Sequence, residues 1–468
     1  MRELMVRDAI REALDEEMAR DNTVFQMGED IGVIGGNFKC TVGLRDKYGD
    51  LRVKDTPISE QGFVGMGVGA ALTGLRPVVE LMFADFMMVC GDQLFNQMAK
   101  ITYMSGGQCN VPMVVRLPLG GGRSSAAQHS QSIHAWAAHI PGVKVVVPST
   151  AGECKGLLKT AIRDNDPVMF FEHKMLYTTK FNDVPEVEED VCIPFGQARI
   201  VTEGADITVV TNSMMTIKAE KAVRQLQKEG ISAELIDLRT IVPLDTETII
   251  RSVKKTGKLL IVDEGHLSFG ITGEIASRIM PDVFYDLDAP IQRMGTADVP
   301  LPFSPALEFP LIPDEKKIHF DLEDCCGSVL ITFEKKIEDK GLNVEVDMPE
   351  HPVYTFANED YITQVIYNLI DNAVKFCPTG KTLGLKIREG GAKVYVSVSN
   401  EGDTIPPEEL PLVFDRFHKL DKSRSQNRDG WGLGLYIVKT IVCSHGENIS
   451  VTSRDGKTEF TFTLPLVN

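Results

Sequence analysis

Asp55-Thr56-Pro57-Ile58-Ser59-Glu60-Gln61-Gly62 runs into the glycine-rich segment Gly65-Met66-Gly67-Val68-Gly69. The first eight residues read as an extended run that delivers a carboxylate to the start of a helix. In α/β proteins such a junction falls at the carboxyl edge of a parallel sheet, where ligands bind. The glycines lack the spacing of a dinucleotide fingerprint, so close helix packing explains them better. Working outward, Pro77-Val78-Val79-Glu80-Leu81 and Lys144-Val145-Val146-Val147 alternate with helical patterns from Met1 to about Tyr177, as a buried parallel sheet requires. At the amino terminus Val6, Ile10, Leu14 and Met18 recur every fourth residue, a core-facing helix stripe unlike a signal peptide.

An acidic stretch from Asp183 to Asp190 separates this region from a second alternation, with strands expected at Ile207–Thr211, Ala233–Asp237 and Leu259–Asp263. Prolines at 300, 302, 305, 310 and 313 predict an extended connection. From His319 the texture changes to alternating strands, Lys393–Val398 and Thr458–Leu464, and to a helix Glu359–Phe376 with an apolar stripe. The expected fold class is α/β: two parallel-sheet domains, 1–182 and 200–318, joined by a linker 183–199, then an α/β sandwich over 319–468.

The chain has 468 residues, too many for one core. A net charge of -17 without a basic stripe argues against a nucleic-acid surface, and no apolar run is long enough to cross a bilayer. The nine cysteines form no CxxC pair and no cluster with histidine, which predicts reduced thiols and a cytoplasmic protein.

Two groups of residues carry chemistry. Glu60 is the first, joined by His129, which follows the flexible Gly120-Gly121-Gly122; taken alone, His129 reads as a structural histidine. The second group sits on the helix Glu359–Phe376, where Asn368, Asn372 and Lys375 share the face opposite the apolar stripe and suit a magnesium-bound polyphosphate. Downstream, Gly430, Gly432 and Gly434 open an apolar helix whose backbone N–H groups can cradle phosphate.

The runs DTPISEQGFVGMGVGAALTGLRPVVELMF, FNQMAKITYMSGG, AAQHSQS, HIPGVKVVVPS and AIRDNDPVMFFEHKMLY resemble the beta subunit of the decarboxylating first component of 2-oxo acid dehydrogenase complexes, over roughly residues 1 to 315. The LMFADF, FNQ and FEHK stretches are most similar to the acetoin dehydrogenase branch of this pyruvate and acetoin dehydrogenase type. The resemblance implies a transketolase-type pyrimidine-binding domain and a transketolase-type carboxyl-terminal domain. It further implies that Glu60 hydrogen-bonds the aminopyrimidine of thiamine diphosphate and favours the imino tautomer, whose nitrogen removes the thiazolium proton. Phe86 would pack on the pyrimidine, His129 would shuttle a proton at the substrate and lipoyl end, and backbone ligands near Ala161, Ile162 and Asp164 would hold potassium. No Gly-Asp-Gly motif is present to hold the magnesium of the diphosphate. A separate alpha subunit is therefore implied, in an alpha-two beta-two heterotetramer served by a lipoyl acyltransferase. The last helix of the carboxyl-terminal domain is expected to be cut short near Lys317.

With Asn400-Glu401-Gly402 and Phe414-Asp415-Arg416-Phe417, the second group resembles the ATP-binding domain of sensor histidine kinases, the Bergerat fold, over residues 319 to 468. The resemblance implies magnesium on Asn372, phosphate on Lys375, further ATP contacts from Asn368 and Gly402, and a lid formed by Gly430, Gly432 and Gly434. Asn400 replaces the usual aspartate that accepts from adenine, and its amide oxygen can still accept. Thr404 replaces a glycine of the same motif. The phosphoacceptor hairpin expected around His319 is replaced by the end of the preceding domain, and Phe320-Asp321-Leu322-Glu323 resembles only the connection that follows it. Autophosphorylation within one chain is therefore not expected. Three readings follow: a dehydrogenase beta subunit with an appended ATP-binding domain, a nucleotide-gated regulatory protein, or a non-functional join of two incomplete genes.

Overall fold

The computed structural model describes residues 1–186, 189–228, 230–315, 326, 329–349, 351, 353, 355, 357, 359–391, 393–416, 434–444 and 447–466. The chain divides into two compact units, Met1–Arg224 with Ser232–Glu315, and Gln225–Ile231 with Lys316–Asn468.

In the first unit, strands β1 (Arg2–Met5), β2 (Val24–Gly28), β3 (Val53–Asp55), β4 (Arg76–Glu80), β5 (Val114–Leu119), β6 (Lys144–Val146), β7 (Val168–His173) and β8 (Lys180–Val184) precede β9 (Arg199–Thr202), β10 (Ile207–Thr211), β11 (Ala233–Asp237), β12 (Thr240–Val242), β13 (Leu259–His266) and β14 (Gln292–Thr296). The larger sheet has the order β12-β6-β7-β5-β4-β2-β3 and the smaller β14-β13-β10-β11-β9. Both are parallel except at one edge, where β12 and β9 run antiparallel to their neighbours. Consecutive residues of the larger sheet face opposite cores, Val78 against Val79, Val114 against Val115 and Phe170 against Phe171. Burial on both faces is the reason its strands read as continuous apolar runs.

Two features tie this unit together beyond the sequence reading. Strand β12 follows the second alternation in the chain yet pairs with β6 of the first sheet. The segment expected as a linker begins within β8, which pairs with β1, and Asp190 bridges Lys159 and Arg163. These two cations and Lys155, spaced four apart on the helix Ala151–Arg163, also meet Glu12, Glu16 and Glu17 of the helix Val6–Arg20. The proline-rich stretch likewise departs from an extended connection. It forms a helical turn Pro305–Glu308 and a further turn Phe309–Leu311, with Leu301, Glu308 and Ile312 buried. Prolines at the first positions of a helix lose no hydrogen bond, so they start these turns instead of preventing them.

Beneath the carboxyl edge of the larger sheet, Arg116 is enclosed between Glu80 and Glu172. Its Nε and Nη2 donate to Glu172 at 2.8 and 2.7 Å, and the Tyr177 hydroxyl donates to the same carboxylate at 2.6 Å. Burial pushes Glu80 up despite the guanidinium.

The second unit holds β15 (Asn343–Asp347), β16 (Thr382–Gly390), β17 (Lys393–Glu401), β18 (Ile449–Arg454) and β19 (Lys457–Pro465) in the order β15-β16-β17-β19-β18, with only β15 and β16 parallel. Leu383, Leu385, Val394, Val396, Phe460 and Phe462 bury one face under the helices Glu359–Phe376 and Gly434–Ser444. The stripe expected on the first helix is buried, with Ile370 added to it. Lys340 donates to the carbonyls of Val374 and Lys375 at 2.8 and 3.0 Å, answering the partial negative charge at that helix end. His319, the Phe320–Glu323 connection and Lys317 lie outside the described residues.

Candidate functional sites

Glu60 is the first residue of the helix Glu60–Leu72, directly after β3, at the carboxyl edge of the larger sheet, and it is buried. A Cβ on Gly67 would stand 2.9 Å from both Met113 Cε and Val79 Cγ2, so helix packing does require that glycine. On the neighbouring strand β2, Gly28 is followed by Glu29, also buried, whose Oε1 has no hydrogen-bond partner. Burial and the nearby Glu60 charge push Glu29 up to about 7. The rule that singled out Glu60, a carboxylate at the end of a strand, applies equally to Glu29, which sequence reasoning passed over.

Phe86 lies in the turn Ala84–Met88, and the Cys90 thiol donates to its carbonyl at 3.6 Å. Burial and the Glu60 charge raise that thiol to about 12, which brings Glu60 and this turn into one neighbourhood. The turn also presents Asp85, raised by burial, whose Oδ1 accepts from the Gln131 backbone and side chain at 3.2 and 3.0 Å while Oδ2 stays unpartnered. Half-buried His129 packs edge-on against Phe83 and Phe86, with centroids 4.8 and 5.6 Å away. Its carbonyl accepts from Lys174, an ammonium lowered to about 8 by burial. Glu60, Phe86 and His129, scattered in sequence, thus converge on one edge, where unpartnered carboxylate oxygens and half-buried rings suit a heteroaromatic ligand with polar nitrogens.

Of the three positions tied to potassium, the carbonyls of Ile162 and Asp164 accept from the Arg76 guanidinium at 3.0 and 2.7 Å, and Ala161 is buried. No cluster of three or more histidine, cysteine or acidic side chains with metal-binding geometry occurs among the described residues. The described cysteines are free, and no described helix is long and apolar enough to cross a membrane.

In the second unit Asn368 and Asn372 are half-buried on one helix face. The Asn368 amide nitrogen donates to Gln364 O at 2.8 Å, leaving its oxygen toward Gly434, where a Cβ would stand 3.3 Å from it. The helix Gly434–Ser444 therefore begins against the two asparagines. Lys375 Nζ lies 5.6 Å over the Phe376 ring. Asn400 is buried, and its Nδ2 donates to Glu401 O at 3.1 Å, so its oxygen is the atom free to accept. Thr404, standing where glycine was expected, accepts from Gly456 N at 2.9 Å, and Gly402 N donates to Gly456 O at 2.8 Å. The Arg416 guanidinium covers the Tyr436 ring at 4.4 Å and donates to its hydroxyl at 2.5 Å, a contact the sequence did not signal. Gly430, Gly432 and Phe417 lie outside the described residues.

Three family models match the chain: the transketolase pyrimidine binding domain over residues 2–180, the transketolase C-terminal domain over 196–318, and the histidine kinase-, DNA gyrase B- and HSP90-like ATPase over 357–468. The chain is 49% identical over 324 residues to the pyruvate dehydrogenase E1 component subunit beta of Rickettsia felis, a stretch covering 69% of this chain and 98% of the relative. It is 47% identical over 311 residues to the 2-oxoisovalerate dehydrogenase subunit beta of Bacillus subtilis, covering 66% and 94%. A solved split-gene transketolase, an inactive beta4 tetramer, matches at a TM-score of 0.53 and 22% identity over 67% of this chain and 95% of that one, a likeness of fold.

Proposed function

The chain belongs to the family of E1 beta subunits of 2-oxo acid dehydrogenases and carries a histidine-kinase-type ATPase domain at its carboxyl end; on that premise we propose that it forms, with an alpha chain, a thiamine-diphosphate site for cleaving a 2-oxo acid or acetoin. The convergence of Glu60, Phe86 and His129 on one sheet edge carries this reading. When bound, thiamine diphosphate supplies the carbon nucleophile and the electron sink for cleavage. Glu60 would hydrogen-bond the aminopyrimidine, and Glu29, raised to about 7, would stand beside it as a carboxyl able to hold or release a proton near neutrality. Phe86 would pack on the pyrimidine. His129, held by its carbonyl to Lys174, would move a proton at the substrate end.

The magnesium and diphosphate would be held by the alpha chain, in an alpha-two beta-two assembly that passes the acyl unit to a lipoyl acyltransferase. Exposed Val33, Ile58, Met66, Met88 and Val89, near these residues in sequence, support such a cover. Potassium at Ala161, Ile162 and Asp164 would share two carbonyls with Arg76 and is not needed for these steps.

The second unit would bind ATP with magnesium through Asn372, Asn368 and Lys375, with Asn400 and Gly402 at the base and Gly430, Gly432 and Gly434 over the phosphates.

Mixing the purified chain with its alpha subunit tests the first site. Activity on pyruvate, 2-oxoisovalerate or acetoin should appear only in the mixture, and Glu60→Gln should lower kcat by about 10²–10⁴-fold; an active Gln variant would remove Glu60 from the mechanism. Calorimetric titration with a non-hydrolysable ATP analogue and magnesium tests the second. Saturable binding should vanish in Asn372→Ala, and an unchanged isotherm would discard the assignment.

A further inference from the structure

The loop that carries His129 is held in place by carboxylates from outside the sheet it belongs to. It leaves β5 at Gly120 and passes through positive φ at Gly120, Gly122, Ser124 and Ala126, with values of 101°, 83°, 54° and 64°. Ser124 and Ala126 have side chains that disfavour this region, so the loop needs external support to keep its shape. Three of its backbone N–H groups find that support on two buried carboxylates. Gly121 N donates to Glu264 Oε1 at 2.7 Å, Gly122 N to Glu308 Oε1 at 2.8 Å, and Ser124 N to Glu308 Oε2 at 2.8 Å. The Ser124 hydroxyl adds a bond of 3.0 Å to Glu308, and the Ser132 hydroxyl one of 2.9 Å to Glu264.

The two carboxylates differ in how they are kept. Burial works against an ionised Glu264, but the His173 ring at 2.8 Å holds it well below the usual carboxylate range. Glu308 has no exposure to solvent, and among the described residues no basic side chain is in ion-pair contact with it, the Lys174 ammonium acting on it only at longer range. Its oxygens are met by two loop N–H groups and one hydroxyl, the arrangement of an anion nest in which the nest is the loop itself. Glu308 reaches the loop because the proline-rich stretch folds back: a Cβ on Gly121 would lie 2.6 Å from Ile312 Cδ1 and 2.9 Å from Leu301 Cδ1.

We propose that Glu308, assisted by Glu264, is the positioning residue for His129, fixing the loop Gly120–Ser132 so that the imidazole stays against Phe83 and Phe86 at the site edge. This rests on the reading of His129 as the group that moves a proton. The amide of Glu308→Gln has one acceptor oxygen and turns its NH2 toward a backbone N–H, so it keeps one side of the nest and loses the other.

Hydrogen exchange of the full chain tests the positioning without any activity. Glu308→Gln should raise exchange of the amides in 120–132 at least tenfold and leave β2 to β4 unchanged; Ser124→Ala, which loses only the hydroxyl bond, should show a smaller rise in the same segment and serves if the first variant does not fold. Unchanged exchange there overturns the proposal. With the alpha chain present, Glu308→Gln should lower kcat tenfold or more with KM within about twofold, and should lower it no further in a His129→Ala background. An undiminished loss in that background would give Glu308 a role independent of His129 and overturn the inference while sparing His129. A fully active His129→Ala would remove the catalytic reading, and the positioning role with it.

Discussion

Replacing Arg116 by methionine should leave two buried carboxylates uncompensated and strongly destabilise the first unit. Arg116 and Glu172 are each 1% exposed and Glu80 6%. Methionine keeps the unbranched apolar stem and leaves two carboxylates without their cation; Glu172 retains only the neutral Tyr177 donor. Removing one partner of a buried ion pair costs about 3–5 kcal/mol. The cost must depend on pH. Without the guanidinium, burial disfavours the ionised form of both carboxyls, so the variant's deficit is smallest at low pH and grows as pH rises. The slope is up to about 1.4 kcal/mol per pH unit for each group. The deficit should stand at about 3–5 kcal/mol at pH 8 and shrink by at least about 1.5 kcal/mol at pH 6. The chain has two tryptophans, Trp136 and Trp431. With Trp431→Phe in both backgrounds, fluorescence of Trp136 in urea reports the first unit alone. A deficit under about 1 kcal/mol at pH 8, or one equal at both pH values, would show that Arg116 does not hold two ionised carboxylates in the fold.

Two further outcomes follow from the site. Glu29 is raised to about 7, so its contribution to stability is present at low pH and lost as pH rises through that value; Glu29→Gln, permanently neutral, should melt with the wild type near pH 4 and a few degrees above it at pH 8, and equal melting at pH 8 would mean Glu29 titrates normally. Gly120 has φ of 101° and faces His173, so Gly120→Ala should strain the backbone and push His173 off Glu264. The combined loss is about 2–5 kcal/mol in urea unfolding, with activity falling in the reconstituted enzyme; a loss under about 1 kcal/mol would show that the loop simply shifts.

Local periodicity carried much of the architecture. Several strands of the first unit were legible as continuous apolar runs, β17 and β19 of the second by alternation at 2 residues, and the helices Val6–Arg20 and Glu359–Phe376 by a stripe at 3.6 residues, all properties of neighbours along the chain. Glu60 was legible because the end of a strand before a helix is itself a local pattern. His129 and Phe86 gained their meaning from resemblance, since a lone histidine and a lone phenylalanine carry no local sign of a site.

What the chain's own sequence determined is therefore many of the elements, their two kinds of sheet, and the residue types available for chemistry. Tertiary structure alone decided which distant residues meet: β12 crossing to β6, Arg116 between Glu80 and Glu172, Glu29 beside Glu60, and Glu308 under the loop of His129. The proline-rich stretch shows the reason most directly. Proline restricts its own φ and removes its own donor, so it announces a break in regular structure, but it says nothing about where the chain goes next. That destination is set by burial of Leu301 and Ile312 and by loop N–H groups that need an acceptor, both of which are supplied from residues more than a hundred positions away.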